Sequence, residues 1–225
     1  SIASTSFNQK QETEADMFGM DLMYPTNYSF WVAYKQHQYN PTFLKDAGPG
    51  QEPQRTTALG YVKKWNTCID IGSQFGFWTR PLLKKFKTVH CFEPNPLFRE
   101  CFLKNIPLDN VTLHPYGLSS NEHTAHQSKD SQQLGMKEGS VQCRTLDSFK
   151  LDNVDFIKID VDGFEHKVLV GAKQTITKFN PVINIEMKKM KRSLTVFNCT
   201  NFLKKRGYRM AKRVKSDEVW VKKVI

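Results

Sequence analysis

Apolar positions after residue 55 alternate between two spacings. Near-continuous apolar runs cover Thr67 to Ile71, Thr88 to Phe92, Val111 to Pro115, Phe156 to Asp160 and Pro181 to Glu186. Runs of this length, rich in Val, Ile and Phe, read as strands buried on both faces. Between them the spacing becomes helical, over Thr56 to Lys64, Phe77 to Phe86, Leu97 to Ile106, Glu165 to Phe179 and Leu194 to Lys205. Val168, Leu169, Ala172 and Ile176 share one face of the fourth of these. Gly207 stands where a left-handed C′ residue would stop the last helix. Arg209 to Val214 and Val219 to Val224, joined by Lys215-Ser216-Asp217-Glu218, read as a terminal hairpin. Strands that alternate with helices imply right-handed crossovers. The pattern predicts an α/β fold: a doubly wound, mainly parallel sheet with an antiparallel C-terminal strand.

Two stretches lack this pattern. Residues 1–55 form an N-terminal extension, a possible lid or substrate-binding segment, ahead of a main domain spanning 56–225. The extension holds an aromatic run from Tyr24 to Phe43, and most of its rings are expected to pack outside the sheet. Ala47-Gly48-Pro49-Gly50 and Pro53 break the chain before the domain. Asn121 to Ser140 is polar and reads as a long loop. No run reaches the roughly 18 apolar residues of a membrane span, and no secretory signal opens the chain. The cysteine count is five, with no C-x-x-C pair, which fits a reducing, cytoplasmic setting.

The formal net charge is +11. Residues 188–225 carry 13 Lys/Arg and two acids, so the whole excess lies there. Such a segment is either a solvated face or a surface for an anionic substrate or nucleic acid.

Candidate chemistry gathers at the strand ends, where open α/β sheets bind ligands. The first strand runs into Asp70-Ile71-Gly72-Ser73-Gln74-Phe75-Gly76. Gly72 and Gly76 allow positive φ or close approach of a ligand, and the helix start beyond them should offer free N–H groups. Glu93 ends the next strand, 23 positions after Asp70, an offset suited to a ribose diol. Asp160 and Glu186 end two later strands. Lys158 alternates with Ile157 and Ile159, so it points to the other sheet face, where an ion pair and a catalytic role are equally open. Asp162 and Glu165 read as the N-cap and N3 residues of a capping box. No spacing marks a metal site, and no histidine stands out as a base.

The runs Asp70 to Gly76, Phe92-Glu93-Pro94-Asn95-Pro96, Thr145-Leu146-Asp147, Phe156 to Glu165, Leu169-x-Gly171-Ala172 and Pro181 to Glu186 occur in order. Together they resemble the FkbM-type S-adenosylmethionine-dependent methyltransferases, from about residue 66 to 187. The resemblance implies a Rossmann-like class I methyltransferase sheet of seven strands, with S-adenosylmethionine as cofactor. It implies cofactor contacts from Asp70, Gly72, Ser73, Gln74, Phe75, Gly76, Glu93, Pro94, Asn95, Gly117, Leu118 and Asp160. Gly72, Ser73 and Gly76 would approach the methionine part, Glu93 would bind the ribose, and Tyr116 to Leu118 would border the adenine. Ser73, Gln74 and Asp162 depart from a common alanine, asparagine and glutamate of the family.

Methyl transfer to a hydroxyl needs alignment of the acceptor and a base within hydrogen-bond reach. Asp160 is the first candidate for that catalytic role and Glu186 the second. The expected activity is O-methylation of a small-molecule or carbohydrate-like acceptor. The alternatives are a nucleic-acid methyltransferase using the basic segment, and a cofactor-binding module without chemistry.

Overall fold

A computed structural model describes residues 51–106, 108–126, 140–161, 163–187 and 194–223. The aromatic run Tyr24 to Phe43 and the residue Asp162 lie outside these. The main sheet has seven strands in the order β3-β2-β1-β7-β8-β10-β9. They are β1 Thr67–Ile71, β2 Thr88–Phe92, β3 Val111–His114, β7 Val154–Ile159, β8 Val182–Glu186, β9 Tyr208–Val214 and β10 Asp217–Lys222. β1, β2, β3, β7 and β8 run parallel, and β10 runs antiparallel to both β8 and β9. This is the expected doubly wound α/β sheet with an antiparallel strand from the C-terminal hairpin.

β1 lies inside the sheet, between β2 and β7, with all five residues buried. Its alternation sends Ile69 and Ile71 to one face, with Ile157, Ile159, Ile183 and Ile185. Helices α4 Glu165–Gly171, α5 Lys173–Phe179 and α6 Leu194–Lys205 supply Val168, Leu169, Ile176 and Leu203 to that core. Cys68, Cys91 and Phe156 face the other way, against α1 Glu52–Leu59, α2 Thr79–Leu83 and α3 Pro96–Asn105. Cys68, Cys91, Cys143 and Cys199 are buried and unpaired.

Four expectations are corrected. α1 begins at Glu52 rather than Thr56 and takes in Pro53, because proline is tolerated in a first helical turn. The segment 121–140 is not all loop: β5 His123–His126 and β6 Ser140–Arg144 pair antiparallel, and β4 Gly117–Leu118 joins β6 in a second sheet. The expected helix from Glu165 to Phe179 is two helices that part at Ala172. A Cβ on Gly171 would lie 2.0 Å from the Ser119 carbonyl oxygen, so close packing fixes a poor helix former there. The Asp147 carboxylate then caps the new start, accepting from the N–H groups of Gln174 at 2.8 Å and Thr175 at 2.9 Å.

The capping box is the fourth. Glu165 sits in the first turn of α4 directly after the N-cap Phe164, so it cannot be N3. Its carboxylate instead accepts from the Gly163 N–H at 2.9 Å. Among the described residues, no helix is long and apolar enough to cross a membrane.

Candidate cofactor and methyl-transfer site

The carboxyl ends of β1, β2 and β7 lie side by side. Ile71 accepts from the Asp160 N–H at 3.1 Å, and Phe92 accepts from the Gly72 N–H at 3.0 Å. The turn after β1 is therefore held against both neighbours. Gly72 has φ +76°, and a Cβ there would lie 1.9 Å from the Asp160 carbonyl oxygen. No residue with a side chain fits that position. Gly76 has φ +90° and is packed against Ile106.

Most N–H groups of the turn itself are already taken. The Gly72 and Ser73 N–H groups go to Phe92, Gly76 donates to Ser73, and Gln74 donates to Glu93 Oε2 at 3.0 Å. The helix starts at Thr79 and spans five residues, and the Arg80 N–H bond to the Gly76 carbonyl at 2.9 Å joins it to the turn. Gln74 itself adopts a left-handed conformation, with φ 47°.

Glu93 organises the second strand end. Oε1 accepts from the Asn95 N–H at 2.8 Å, while Oε2 takes Gln74. Arg99 Nη1 donates to the Glu93 carbonyl oxygen at 3.2 Å and also to that of Pro94. Glu93 is 4% exposed. Burial pushes its carboxyl up to about 7, against the two N–H donors, Arg99 and Lys158, which favour the ion. A carboxylate has about four acceptor sites, so two stay open beyond Gln74 and Asn95. Asn95 is buried, and its side chain caps Phe98 at 3.4 Å. Phe75 packs edge-on against Phe77 and Phe98.

Asp70 and Asp160 meet at Lys158. The Lys158 ammonium lies 3.5 Å from Asp70 Oδ1, 3.5 Å from Asp160 Oδ2 and 3.2 Å from the Gly72 carbonyl oxygen. Lys158 is therefore an ion-pair residue on the face opposite Ile157 and Ile159. Burial alone would depress its ammonium, but the Asp160, Asp70 and Asp217 charges outweigh it and hold the group above its ordinary value. Asp70 is fully buried, and its Oδ2 accepts from the Thr79 hydroxyl at 2.7 Å. The Asp160 side chain is 24% exposed. Of the three charges it alone reaches the surface. Ser73 Oγ is buried and has no hydrogen-bond partner among the described residues.

Glu186, at the end of β8, is half-buried and accepts from the Ser216 hydroxyl at 3.1 Å. Its register partner Asp217 accepts from Asn184 at 2.7 Å. Burial pushes the Asp217 carboxyl up, Asn184 opposes this, and the Asp160 charge adds to the rise. Asp217 was hidden in the sequence, because the hairpin turn is Lys215-Ser216 and not the four residues expected. Gly117 packs against Val141 and Cys143 of β6, and Leu118 is buried in the core. Among the described residues, no three His, Cys, Asp or Glu side chains are grouped to hold a metal ion.

Exposed Lys215 stands in the β9–β10 turn next to Ser216, which bonds Glu186, while other exposed basic residues of the C-terminal segment lie elsewhere. Lys222 pairs with Tyr208, whose hydroxyl donates to Pro181 at the start of β8. Lys204, Lys205, Arg209, Lys222 and Lys223 thus gather at the opposite end of the sheet from the glycine turn. Residues 188–193 lie outside the described residues.

Known proteins share this architecture. The methyltransferase FkbM from Methylobacillus flagellatus KT superposes with a TM-score of 0.52 at 18% identity, over 93% of this chain and 58% of that one. This chain thus spans less than two thirds of that protein's length. The magnesium protoporphyrin IX methyltransferase from Synechocystis PCC 6803, solved with bound SAM, gives a TM-score of 0.50 at 12% identity, over 86% of this chain and 91% of that one. An rRNA methylase from Streptococcus thermophilus gives 0.50 at 14% identity, over 77% and 95%. At these identities the likeness is one of fold, that of the class I methyltransferases. Among curated proteins none matches the chain significantly. The methyltransferase FkbM domain matches residues 70–210. That stretch begins at the first buried aspartate and takes in the glycine turn, Glu93, Asp160 and Glu186, and the chain belongs to the FkbM methyltransferase family.

Proposed function

We propose that the protein binds S-adenosylmethionine over the β1 turn and methylates a hydroxyl of a small-molecule or carbohydrate-like acceptor. One observation carries the reading. A glycine turn tied to a buried carboxylate stands next to a second carboxylate that is partly exposed, on one sheet edge. The residues suit the cofactor. Ser73 Oγ is a buried polar atom without a partner among the described residues, which a polar ligand group would satisfy. Glu93 has acceptor sites left for two ribose hydroxyls.

When bound, S-adenosylmethionine supplies a methyl group already activated on a sulfonium. Glu93 would hold the ribose, and the Ser73 hydroxyl would meet the methionine part. Asp160 would orient the acceptor hydroxyl or take its proton at Oδ. Glu186, steadied by Ser216, is the second group for that proton. Asp70 would act from below, through Lys158 and Thr79. The acceptor's fit belongs to residues 1–55 and 121–140, of which 1–50 and 127–139 lie outside the described residues.

The test is a mass-spectrometric search for a product heavier by one CH₂ in carbohydrate, lipid and RNA extracts supplied with S-adenosylmethionine. A methylated small molecule or glycan that disappears with Asp160→Asn supports the reading. Methylated RNA would instead favour the nucleic-acid reading, for which the exposed Lys215 in the hairpin turn near Glu186 is the supporting observation. Cofactor binding without any product would favour a module that has lost the chemistry.

A further inference from the structure

Register places Asp70, Lys158 and Asn184 side by side across β1, β7 and β8, on one face of the sheet. These strands otherwise bury apolar side chains. Each of the three is less than 5% exposed. A lysine at the centre of such a row costs several kcal/mol in desolvation unless its charge and its donors are met. Lys158 meets them in a particular way. Its ammonium has one contact on each of three elements: Asp70 of β1, the Gly72 carbonyl of the turn, and Asp160 beyond β7. The Trp78 ring lies 5.8 Å from the ammonium and closes a further side. The Gly72 contact is the informative one. A simple neutralising pair would need only a carboxylate, yet this ammonium also grips the backbone of the turn.

Two carboxylates, Asp70 and Asp160, each lie 3.5 Å from the one ammonium, and the Asp217 charge acts on it from farther away. The side chains of Asp70 and Lys158 are 0% and 4% exposed, while that of Asp160 is 24% exposed. Of the two carboxylates that touch Lys158, Asp160 is therefore the one presented at the surface. Packing alone does not require a carboxylate there, because apolar residues of similar volume often replace a buried ion-pair group without loss of stability. A fixed carboxylate does serve a site in which it must stand at a set distance from the turn.

We propose that Lys158 is a positioning residue: it locks the Gly72 turn and the Asp160 carboxylate into one fixed geometry for the cofactor. The inference rests on the reading of the turn as the S-adenosylmethionine site. Lys158 touches neither cofactor nor acceptor in this account, and its effect passes through the two groups it holds.

The test is the double variant Asp70→Asn/Lys158→Met, which removes both buried charges and leaves similar volumes. Thermal melting, amide hydrogen exchange at Gly72 to Gly76, and calorimetric titration with S-adenosylhomocysteine are read on the wild type and the variant. The expected result is a cooperative melt close to that of the wild type, faster exchange in the turn, and affinity about tenfold weaker, the worth of one charged hydrogen bond. Unchanged exchange and affinity in a folded variant would overturn the proposal. A variant that does not fold would also overturn it, since Lys158 would then be a structural residue. If the wild type binds no S-adenosylhomocysteine, the cofactor reading fails, while the exchange rates still decide whether Lys158 holds the turn.

Discussion

Cofactor affinity should rise with pH through neutrality, and Glu93 is the reason. Its carboxyl is pushed up to about 7 by burial, so it is about one-tenth ionised at pH 6 and about nine-tenths at pH 8. Only the ion accepts at all of its positions. Gln74 and Asn95 occupy two of them, and a proton on the carboxyl would remove another from a bound ribose. The binding-competent fraction thus changes about tenfold, and apparent affinity follows it, a gain of ~1.4 kcal/mol. Calorimetric titration of S-adenosylhomocysteine at pH 6, 7 and 8 measures this, with Glu93→Gln as the variant that cannot titrate. The wild type should bind about tenfold tighter at pH 8 than at pH 6, and the variant weakly and evenly. A flat wild-type profile, or a slope that survives in Glu93→Gln, would refute the reasoning. Stability should move the other way. The folded value lies above the ordinary 4.5, so this group's contribution is full below about 4.5 and is lost as pH rises through about 7.

Three further outcomes follow from particular contacts. Gly72→Ala would put a methyl 1.9 Å from a backbone oxygen at φ +76°, and urea denaturation should show a loss of about 3 kcal/mol or more; a loss under 1 kcal/mol would mean that the turn adapts. Ser73→Ala removes a buried hydroxyl that has no partner among the described residues, so the free protein should melt higher by the worth of about 1 kcal/mol, while S-adenosylhomocysteine binds about fivefold weaker; equal affinity would remove Ser73 from the site. Burial, and then His90 at 3.1 Å, depress the His114 imidazole to about 4. Its contribution is full above the ordinary 6.5 and is lost as pH falls toward about 4, so melting temperatures of wild type and His114→Phe should converge over that range; a constant gap would remove the histidine pair as an acid-labile contact.

The centre of the sheet was legible because β1, β7 and β8 are largely buried and mostly apolar, with Asp70, Lys158 and Asn184 as the interruptions. Thr67–Ile71 and Thr88–Phe92 were read to the residue. His123-Thr124-Ala125-His126 was not, since a polar strand in a small outer sheet has no apolar stripe to betray it. The break at Ala172 was invisible because its causes, the Ser119 carbonyl and the Asp147 cap, come from distant chain positions. At the site, residue types were readable and partnerships were not. Glu93 and Asp160 stood out by position. That Glu93 ties down Gln74, and that Lys158 joins Asp70, Asp160 and the Gly72 carbonyl, depends on register between strands far apart in the sequence. Asp217 entered only because a two-residue turn sets it opposite Glu186.

The central claim is that the glycine turn and Glu93 hold S-adenosylmethionine. Calorimetric titration of the folded chain with S-adenosylhomocysteine at pH 8 tests it most directly, beside Glu93→Ala. Saturable one-to-one binding, lost or weakened more than tenfold in the variant, is the result expected when a charged hydrogen-bond acceptor is removed. No heat of binding and no rise in melting temperature from a cooperatively folded wild type would contradict it, as would a Glu93→Ala variant that binds equally well.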